Sequence, residues 1–308
     1  MLDLGRLRAL HAVATYGTVG AAADVLGYTP SAVSQQIAKL ERETRTTLLE
    51  RRGRGVALTD AALLLADTAG HVLKLVEEAE VALEEHRGAA VGRLCIGAFA
   101  TAARGLLPDV LVGLAEQHPA LDVRLKEIDP PLAIEAVARG ELDMAVVHDW
   151  KNTPLPVPES LSRVAICEDL AEVLVPASHP LADKEFLVPA DLVGARWTCQ
   201  PEGAICFDWL VRTFHGAGIE PELVYRVSEY QTQLALLAKG IGVALIPRLG
   251  RGEVPDNVRA VPMRPAPTRT LYAVWRTQAS RRPAITAALE VIRQAAAAEP
   301  GVVVGPAE

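Results

Sequence analysis

The 308-residue chain has no run of about 18 apolar residues, so no stretch of it is long enough to cross a bilayer as a helix. Its four cysteines, Cys95, Cys167, Cys199 and Cys206, form no C-x-x-C pair and no zinc spacing. Neither G-x-G-x-x-G nor G-x-x-x-x-G-K-[ST] occurs, so the two familiar phosphate-cradling turns are missing. No Ser-His-Asp order, metal-ligand cluster or well-spaced pair of carboxylates stands out. These absences point away from an enzyme: no catalytic residue, no metal and no cofactor are expected. The start, Met1-Leu-Asp-Leu-Gly-Arg, lacks the basic-then-apolar order of a signal peptide, so a cytoplasmic chain with reduced thiols is expected. A solute-binding protein would need such a peptide and no basic amino-terminal module.

The net charge of −7 argues against a protein that coats nucleic acid, but it is unevenly spread. Residues 1–58 hold eight Lys/Arg against five Asp/Glu, net +3, and the other 250 residues carry −10. A small basic module on an acidic body suits site-specific binding with modest nonspecific affinity.

The stretch Thr18–Glu41 reads as two helices joined by a tight turn. Thr18 is a cap, and Val19, Ala22, Ala23 and Leu26 share one face at 3–4 spacing. The alanines leave room for a close helix crossing. Gly27 stands where a left-handed residue ends the first helix, and Thr29-Pro30 restarts the chain as cap and first helical position. Val33, Ile37 and Leu40 then point inward, leaving Ser31, Ser34, Gln35, Ala38 and Lys39 outward. Small hydroxyls and an amide can bond base edges or phosphates, and a lysine supplies a point charge for a phosphate. Upstream, Leu4, Leu7, Leu10 and Ala14 form the stripe of a supporting helix. Downstream, Leu48–Thr59 has apolar ends around an Arg/Gly turn, the pattern of a β-hairpin wing. Its Arg52 and Arg54 are candidates for the minor groove or phosphates. The candidate DNA-binding set is therefore Thr29, Pro30, Ser31, Ser34, Gln35, Lys39, Arg52 and Arg54. The plainer alternative is a helical hairpin with a solvated polar face.

From about Thr59 to Arg87 there is no proline and a single glycine, Gly70. Leu65, Ala69, Val72, Val76, Ala79 and Leu83 lie on a heptad seam, which reads as a dimerising helix ending at Gly88. Two reading helices on one face of DNA multiply affinity and define spaced half-sites. From Val91 onward, strand-like and helical stretches alternate, the signature of βαβ units with a parallel sheet. Glu299–Glu308 reads as a loose tail.

The order of parts resembles the LysR-type transcriptional regulators over about residues 2–296. The carrying residues are Ala22-Ala23, Leu26, Thr29 through Ile37, Leu40-Glu41, Leu48, Arg51 and Leu58-Thr59. In the second half they are Gly97, Leu107-Pro108, Gly140 through Ala145, His179-Pro180-Leu181 and Gly240 through Pro247. The resemblance implies an α/β chain with an N-terminal winged helix-turn-helix at 1–59 and a dimerising linker helix at 60–88. It also implies a two-subdomain α/β effector domain at 89–298, similar to periplasmic solute-binding proteins. Its lobes would be about 91–165 with 269–298, and about 166–268, followed by a flexible tail at 299–308. It further implies a homodimer or, more often, a homotetramer on double-stranded promoter DNA, controlled by a small-molecule effector and not bound to membranes. The chain departs from the family in carrying Thr44-Arg45 where Leu-Gly is usual, which leaves a left-handed turn without its glycine. Leu49 stands where phenylalanine is common.

In an open α/β sheet, ligands bind at strand ends against helix N-termini. On that logic the effector candidates are Ala100, Thr101 and Ala102 after the first strand, with the resemblance placing a contact at Thr101. The others are His148, the segment Thr198, Cys199, Gln200 and Glu202, and Ser228 with Tyr230. Thr101 and Ser228 have a second reading as helix caps. Acidic residues near the cleft disfavour a multiply charged anion. The peroxide-sensing branch of the family has a second cysteine about ten residues beyond the position of Cys206. Here that place holds Phe214-His215-Gly216, so Cys206 reads as a half-buried thiol. Two alternatives remain, a constitutive regulator with no effector and a redox-responsive one acting through Cys206.

Overall fold

A computed structural model describes residues 2–52, 55–299 and 302–303. The chain divides into two packed units after Arg87. In the first, α1 (Leu4–Tyr16), α2 (Val19–Leu26) and α3 (Pro30–Thr44) precede a hairpin of β1 (Leu49–Arg52) and β2 (Gly55–Leu58), and α4 (Asp60–Arg87) closes the unit. Each boundary has a local cause. Asp3, Thr18 and Thr29 cap the first three helices by accepting backbone N–H bonds from Arg6, Ala21 and Ala32. Gly17 and Gly27 end α1 and α2 in the left-handed region. Val33, Ile37 and Leu40 are fully buried on α3, packed with Ala22, Ala23, Leu7 and Leu10. Each such large side chain contributes about 1.5–3 kcal/mol on burial. The carboxylate of Glu41 accepts from the backbone N–H groups of Leu48 and Leu49 at 2.8 and 3.1 Å, which fixes where the hairpin leaves α3.

Arg45 ends α3 at φ 52°, and it is the one non-glycine residue with positive φ recorded among the described residues. The left-handed turn is thus kept without glycine, at a steric cost borne by the arginine Cβ. Arg45→Gly is expected to stabilise the chain by about 1 kcal/mol, read as a raised Tm in thermal unfolding. A lowered Tm would mean that the arginine side chain contributes more than its backbone costs.

The first half of α4 is not a free linker. Ala62, Ala66 and Ala69 are buried in the core of the first unit, and the ring Nδ1 of His11 lies 3.0 Å from the carbonyl of Ala66. Ala69, expected on the dimer seam, is covered by its own unit, and Leu65 packs half-buried against the same core. A heptad pattern shows which positions are apolar but not which neighbour covers them. The exposed large apolar side chains on α4 are Leu63, Leu64, Leu75 and Leu83. Leu64 and Leu75 lie about three turns apart on the side away from Ala62 and Ala69.

The second unit opens with β3 (Gly92–Ala98), α5 (Ala100–Gly105), α6 (Leu107–Gln117), β4 (Leu121–Glu127), α7 (Pro130–Ala138) and β5 (Met144–Trp150). A 16-residue strand follows, β6 (Leu161–Pro176), then β7 (Arg196–Cys199), α8 (Ile205–Gly216), β8 (Glu222–Arg226) and α9 (Tyr230–Leu237). The last elements are β9 (Ala244–Pro247), β10 (Val258–Val261), β11 (Thr268–Arg276), α10 (Pro283–Ala298) and β12 (Val302–Val303). Strands β3, β4 and β5 pair in parallel, as βαβ units require, while β11 returns antiparallel between β5 and β6.

β6 belongs to both lobes. Leu161–Leu170 pairs with β11, and from Ala171 onward the strand pairs with β9 and β10. The lobe change therefore falls at Leu170/Ala171, a few residues after the expected 165/166. The tail is not loose throughout. Val302 and Val303 pair antiparallel with Asp169 and Glu168 of β6, beside the lobe change.

Candidate functional site

Two surfaces carry the residues singled out by sequence, one in each unit. In the first unit Ser31, Ser34, Gln35, Ala38 and Lys39 are exposed along one face of α3. Thr29 is committed locally, since its hydroxyl caps α3 and lies 3.1 Å from the Ser31 hydroxyl. Pro30 is the first residue of the helix. The wing hairpin is present, with Leu49 opposite Leu58 and Glu50 opposite Ala57. The side chain of Arg52 and the whole of Arg54 lie outside the described residues.

In the second unit the strand ends and helix starts converge on a buried polar core. Arg269 is 1% exposed and Asp169 is fully buried. They face each other across the β6–β11 pair, with Arg269 Nε and Nη2 at 2.8 and 2.7 Å from Asp169 Oδ2. Arg269 Nη2 also donates to the Thr101 hydroxyl at 2.8 Å, and the guanidinium lies 5.0 Å from the centre of the Phe99 ring. The other Asp169 oxygen accepts from Leu249 N–H at 3.0 Å. The loop after β9 comes so close that a Cβ on Gly250, whose φ is +63°, would collide with the Thr101 carbonyl. Thr101 is therefore a buried partner of Arg269 and not a cap, because Phe99 holds the cap position of α5.

Beside this core lies a small hollow with room for about one water molecule. Thr198, Cys199, Gln200 and Tyr230, all expected by sequence, line it. Trp150, Cys206, Leu210, Gln233 and Leu245 complete the wall. The Tyr230 hydroxyl donates to Cys206 Sγ at 3.3 Å. Among the described residues Thr198 Oγ1 and Gln233 Oε1 are buried with no hydrogen-bond partner, although Gln233 Nε2 donates to the Val227 carbonyl. Burial pushes the Cys206 thiol up from its ordinary value, while the Arg269 charge pulls it down. Burial likewise raises Cys199. Both thiols are therefore protonated at neutral pH, the less nucleophilic form.

The remaining candidates fall elsewhere. Ala102 is fully buried in the sheet-helix core and offers no surface to a ligand, and Ala100 is only half-buried beside it. Glu202 is exposed on the rim, 3.8 Å from Arg226. Ser228 is exposed, its carbonyl accepting from Gln200 Nε2, and the cap of α9 is Glu229. His148 is buried between the rings of Phe99 and Trp150, with Nδ1 unpartnered, and does not line the hollow. Arg269, Asp169 and Gln233 were missed in the sequence. Asp169 and Arg269 are charged residues within strand-like runs, a signal that gains meaning only once the two are paired.

Burial, then the charge of Arg269, holds His148 well below the usual histidine range. The unfolded chain takes up a proton near pH 6.5 that the folded chain refuses, so stability falls as pH drops below about 6.5. His179, lowered by burial, adds to the same window. His148→Phe is expected to reduce this slope by about one proton, or about 1.4 kcal/mol per pH unit, in urea unfolding between about pH 5 and 6.5. An unchanged slope would mean that His148 takes up its proton in the folded state.

Among the described residues no group of His, Cys, Asp and Glu can hold a metal ion, and no helix is long and apolar enough to cross a membrane. The family model "Bacterial regulatory helix-turn-helix protein, lysR family" matches residues 4–63, and "LysR substrate binding domain" matches 87–297. A hydrogen peroxide-inducible genes activator of Dickeya chrysanthemi is 28% identical over 278 residues, covering 89% of this chain and 90% of that protein. Full-length OxyR C199D from Pseudomonas aeruginosa shares the fold at a TM-score of 0.69 and 22% identity, with 95% of each chain covered. Full-length CbnR complexed with its target DNA does so at a TM-score of 0.53 and 23% identity, covering 96% of this chain and 99% of that one. Two family matches that together span both units mean that this chain belongs to the LysR family of DNA-binding transcriptional regulators, which are not enzymes.

Proposed function

We propose that this regulator reads double-stranded promoter DNA with the exposed face of α3 and is controlled by a small molecule bound in the cleft of its second unit. The observation that carries the effector half is one hollow lined by Thr198, Cys199, Gln200, Tyr230 and Gln233, of which Thr198 and Gln233 each keep a buried side-chain oxygen with no partner among the described residues. A buried polar group without a partner costs about 1–3 kcal/mol, and a bound molecule that supplies the partner recovers it. Because β6 runs through both lobes, and Asp169 bonds the strand of one lobe and the loop of the other, a ligand there biases how the lobes close. Ser34, Gln35 and Lys39 are the reading residues, Ser31 and Thr29 shape the helix start, and Arg52 and Arg54 of the wing supply phosphate or minor-groove contacts. Two copies associate through the outward side of α4, where Leu64, Leu75, Ala79 and Leu83 are exposed, with Val72 and Val76 half-buried beside them. Pairs of such dimers form the tetramer.

The test is a footprint on the DNA flanking the chain's own gene, repeated with fractions of a metabolite extract. Protection is expected with the full chain alone, and its length is expected to change with one fraction. Failure to protect any fragment, even in dilute salt, overturns the DNA half. A footprint indifferent to every fraction leaves a constitutive regulator.

A further inference from the structure

Resting on α3 as the DNA-reading helix, we infer that Tyr28, in the turn between α2 and α3, holds the DNA backbone: its hydroxyl donates to a phosphate oxygen at the edge of the groove that α3 enters. Every Phe, Trp and Tyr of the chain lies within the described residues, and Tyr28 is the one left exposed, at 58%. The core of the first unit does not use it, since Tyr16, Val19 and Leu26 pack against that core and Tyr28 does not. A residue just before a helix cap often packs on the fourth helical residue, here Val33, but a ring serving that purpose would be covered. Its hydroxyl has no hydrogen-bond partner among the described residues. The backbone beneath it is fixed on both sides. Gly27 turns at φ +68°, the Tyr28 N–H donates to the Ala23 carbonyl at 2.9 Å, and Thr29 caps α3. A side chain held on such a turn has little left to lose on binding. Gly27 through Ser31 are all exposed, so the turn runs straight into the outward set Ser31, Ser34 and Gln35. In a helix-turn-helix the second helix enters the major groove by its N-terminal end while the first crosses the backbone, so the turn joining them passes over the phosphate row. A phenol suits that place, with its O–H on a phosphate oxygen and its ring against the sugar. The basic balance of residues 1–58, net +3, favours this polyanion over an apolar partner. Being neutral, tyrosine displaces no counterion, so it adds affinity for any duplex without adding to the salt dependence.

The experiment compares the full wild-type chain with Tyr28→Phe and Tyr28→Ala on two duplexes of equal length, one carrying the footprint from beside the chain's own gene and one of random sequence. Tyr28→Phe is expected to weaken binding to both by the same factor, about 2- to 10-fold for each protomer on the DNA, and Tyr28→Ala by more. Tm and the salt slope should stay as in the wild type. A scan of single methylphosphonates, each replacing one charged phosphate oxygen by a methyl group, locates the contact: at a position in each half-site the wild type loses affinity and Tyr28→Phe loses less. Unchanged binding of both duplexes by both variants, or identical scans for wild type and Tyr28→Phe, would turn the hydroxyl away from the backbone and overturn the inference. A loss on the footprint duplex alone would make Tyr28 a reader of bases and overturn the phosphate contact. A wild-type chain that binds neither duplex removes the reading of DNA itself, before any variant is compared, and the Tyr28 contact with it.

Discussion

Arg269→Met is expected to cost about 3–5 kcal/mol of stability, because it leaves the fully buried Asp169 carboxylate, among the described residues, with the Leu249 N–H as its remaining partner. The loss has three parts: the two-point contact with Asp169, the bond to Thr101, and the packing on Phe99. The double change Asp169→Leu with Arg269→Met is expected to recover most of it, since replacing both partners of a buried ion pair with apolar groups removes the stranded charge. Urea unfolding of the four variants gives the coupling energy directly. A cost below about 1 kcal/mol for Arg269→Met, within the range of exposed ion pairs, would mean that water reaches the pair in solution. The same substitutions also report on lobe coupling, because Asp169 holds Leu249 after β9 while Arg269 holds Thr101 on α5. If the pair fixes lobe spacing, the double variant regains stability without regaining the wild-type footprint response.

What the sequence made legible was local chemistry. The caps at Thr18 and Thr29, the glycine stop at Gly27, and the inward set Val33, Ile37 and Leu40 follow from spacing within one or two helical turns, and all are present. The alternation of strand-like and helical stretches read from Val91 onward is also present in the second unit. What stayed hidden depended on distant partners. Asp169 and Arg269 are 100 residues apart and meet only through the β6–β11 register. β6 escaped detection as one long strand because Glu168, Asp169 and Glu172 interrupt its apolar pattern. Two of those charges have their own reason: Asp169 pairs with Arg269, and Glu172 binds both Arg248 and Arg251 at 2.7 Å. Ala69 matched a heptad template equally well whether covered by α1 or by a second chain, and only the fold distinguishes the two. The missing glycine at position 45 implied a changed turn, yet the turn is kept with Arg45 at positive φ.

Ser34→Ala and Gln35→Ala are each expected to weaken binding to the chain's own operator by about 1–3 kcal/mol, roughly 5- to 150-fold. Both side chains are exposed on α3, so neither change should move stability by more than about 0.5 kcal/mol. Neither removes a charge, so affinity for unrelated DNA and the dependence of binding on salt should stay as they were. Lys39→Ala is the informative contrast: it removes one phosphate contact per protomer, so binding to all sequences should weaken together and the salt slope should fall by about 0.9 for each protomer on the DNA. The two patterns separate reading of bases from holding of the backbone within one helix face. In a dimer each substitution occurs at both half-sites, so the operator effect reaches the upper end of the range while the nonspecific term changes little. An operator affinity untouched by Ser34→Ala and Gln35→Ala, with the salt slope still sensitive to Lys39, would mean that α3 lies along the backbone and that sequence is read elsewhere, with the wing as the next element to test.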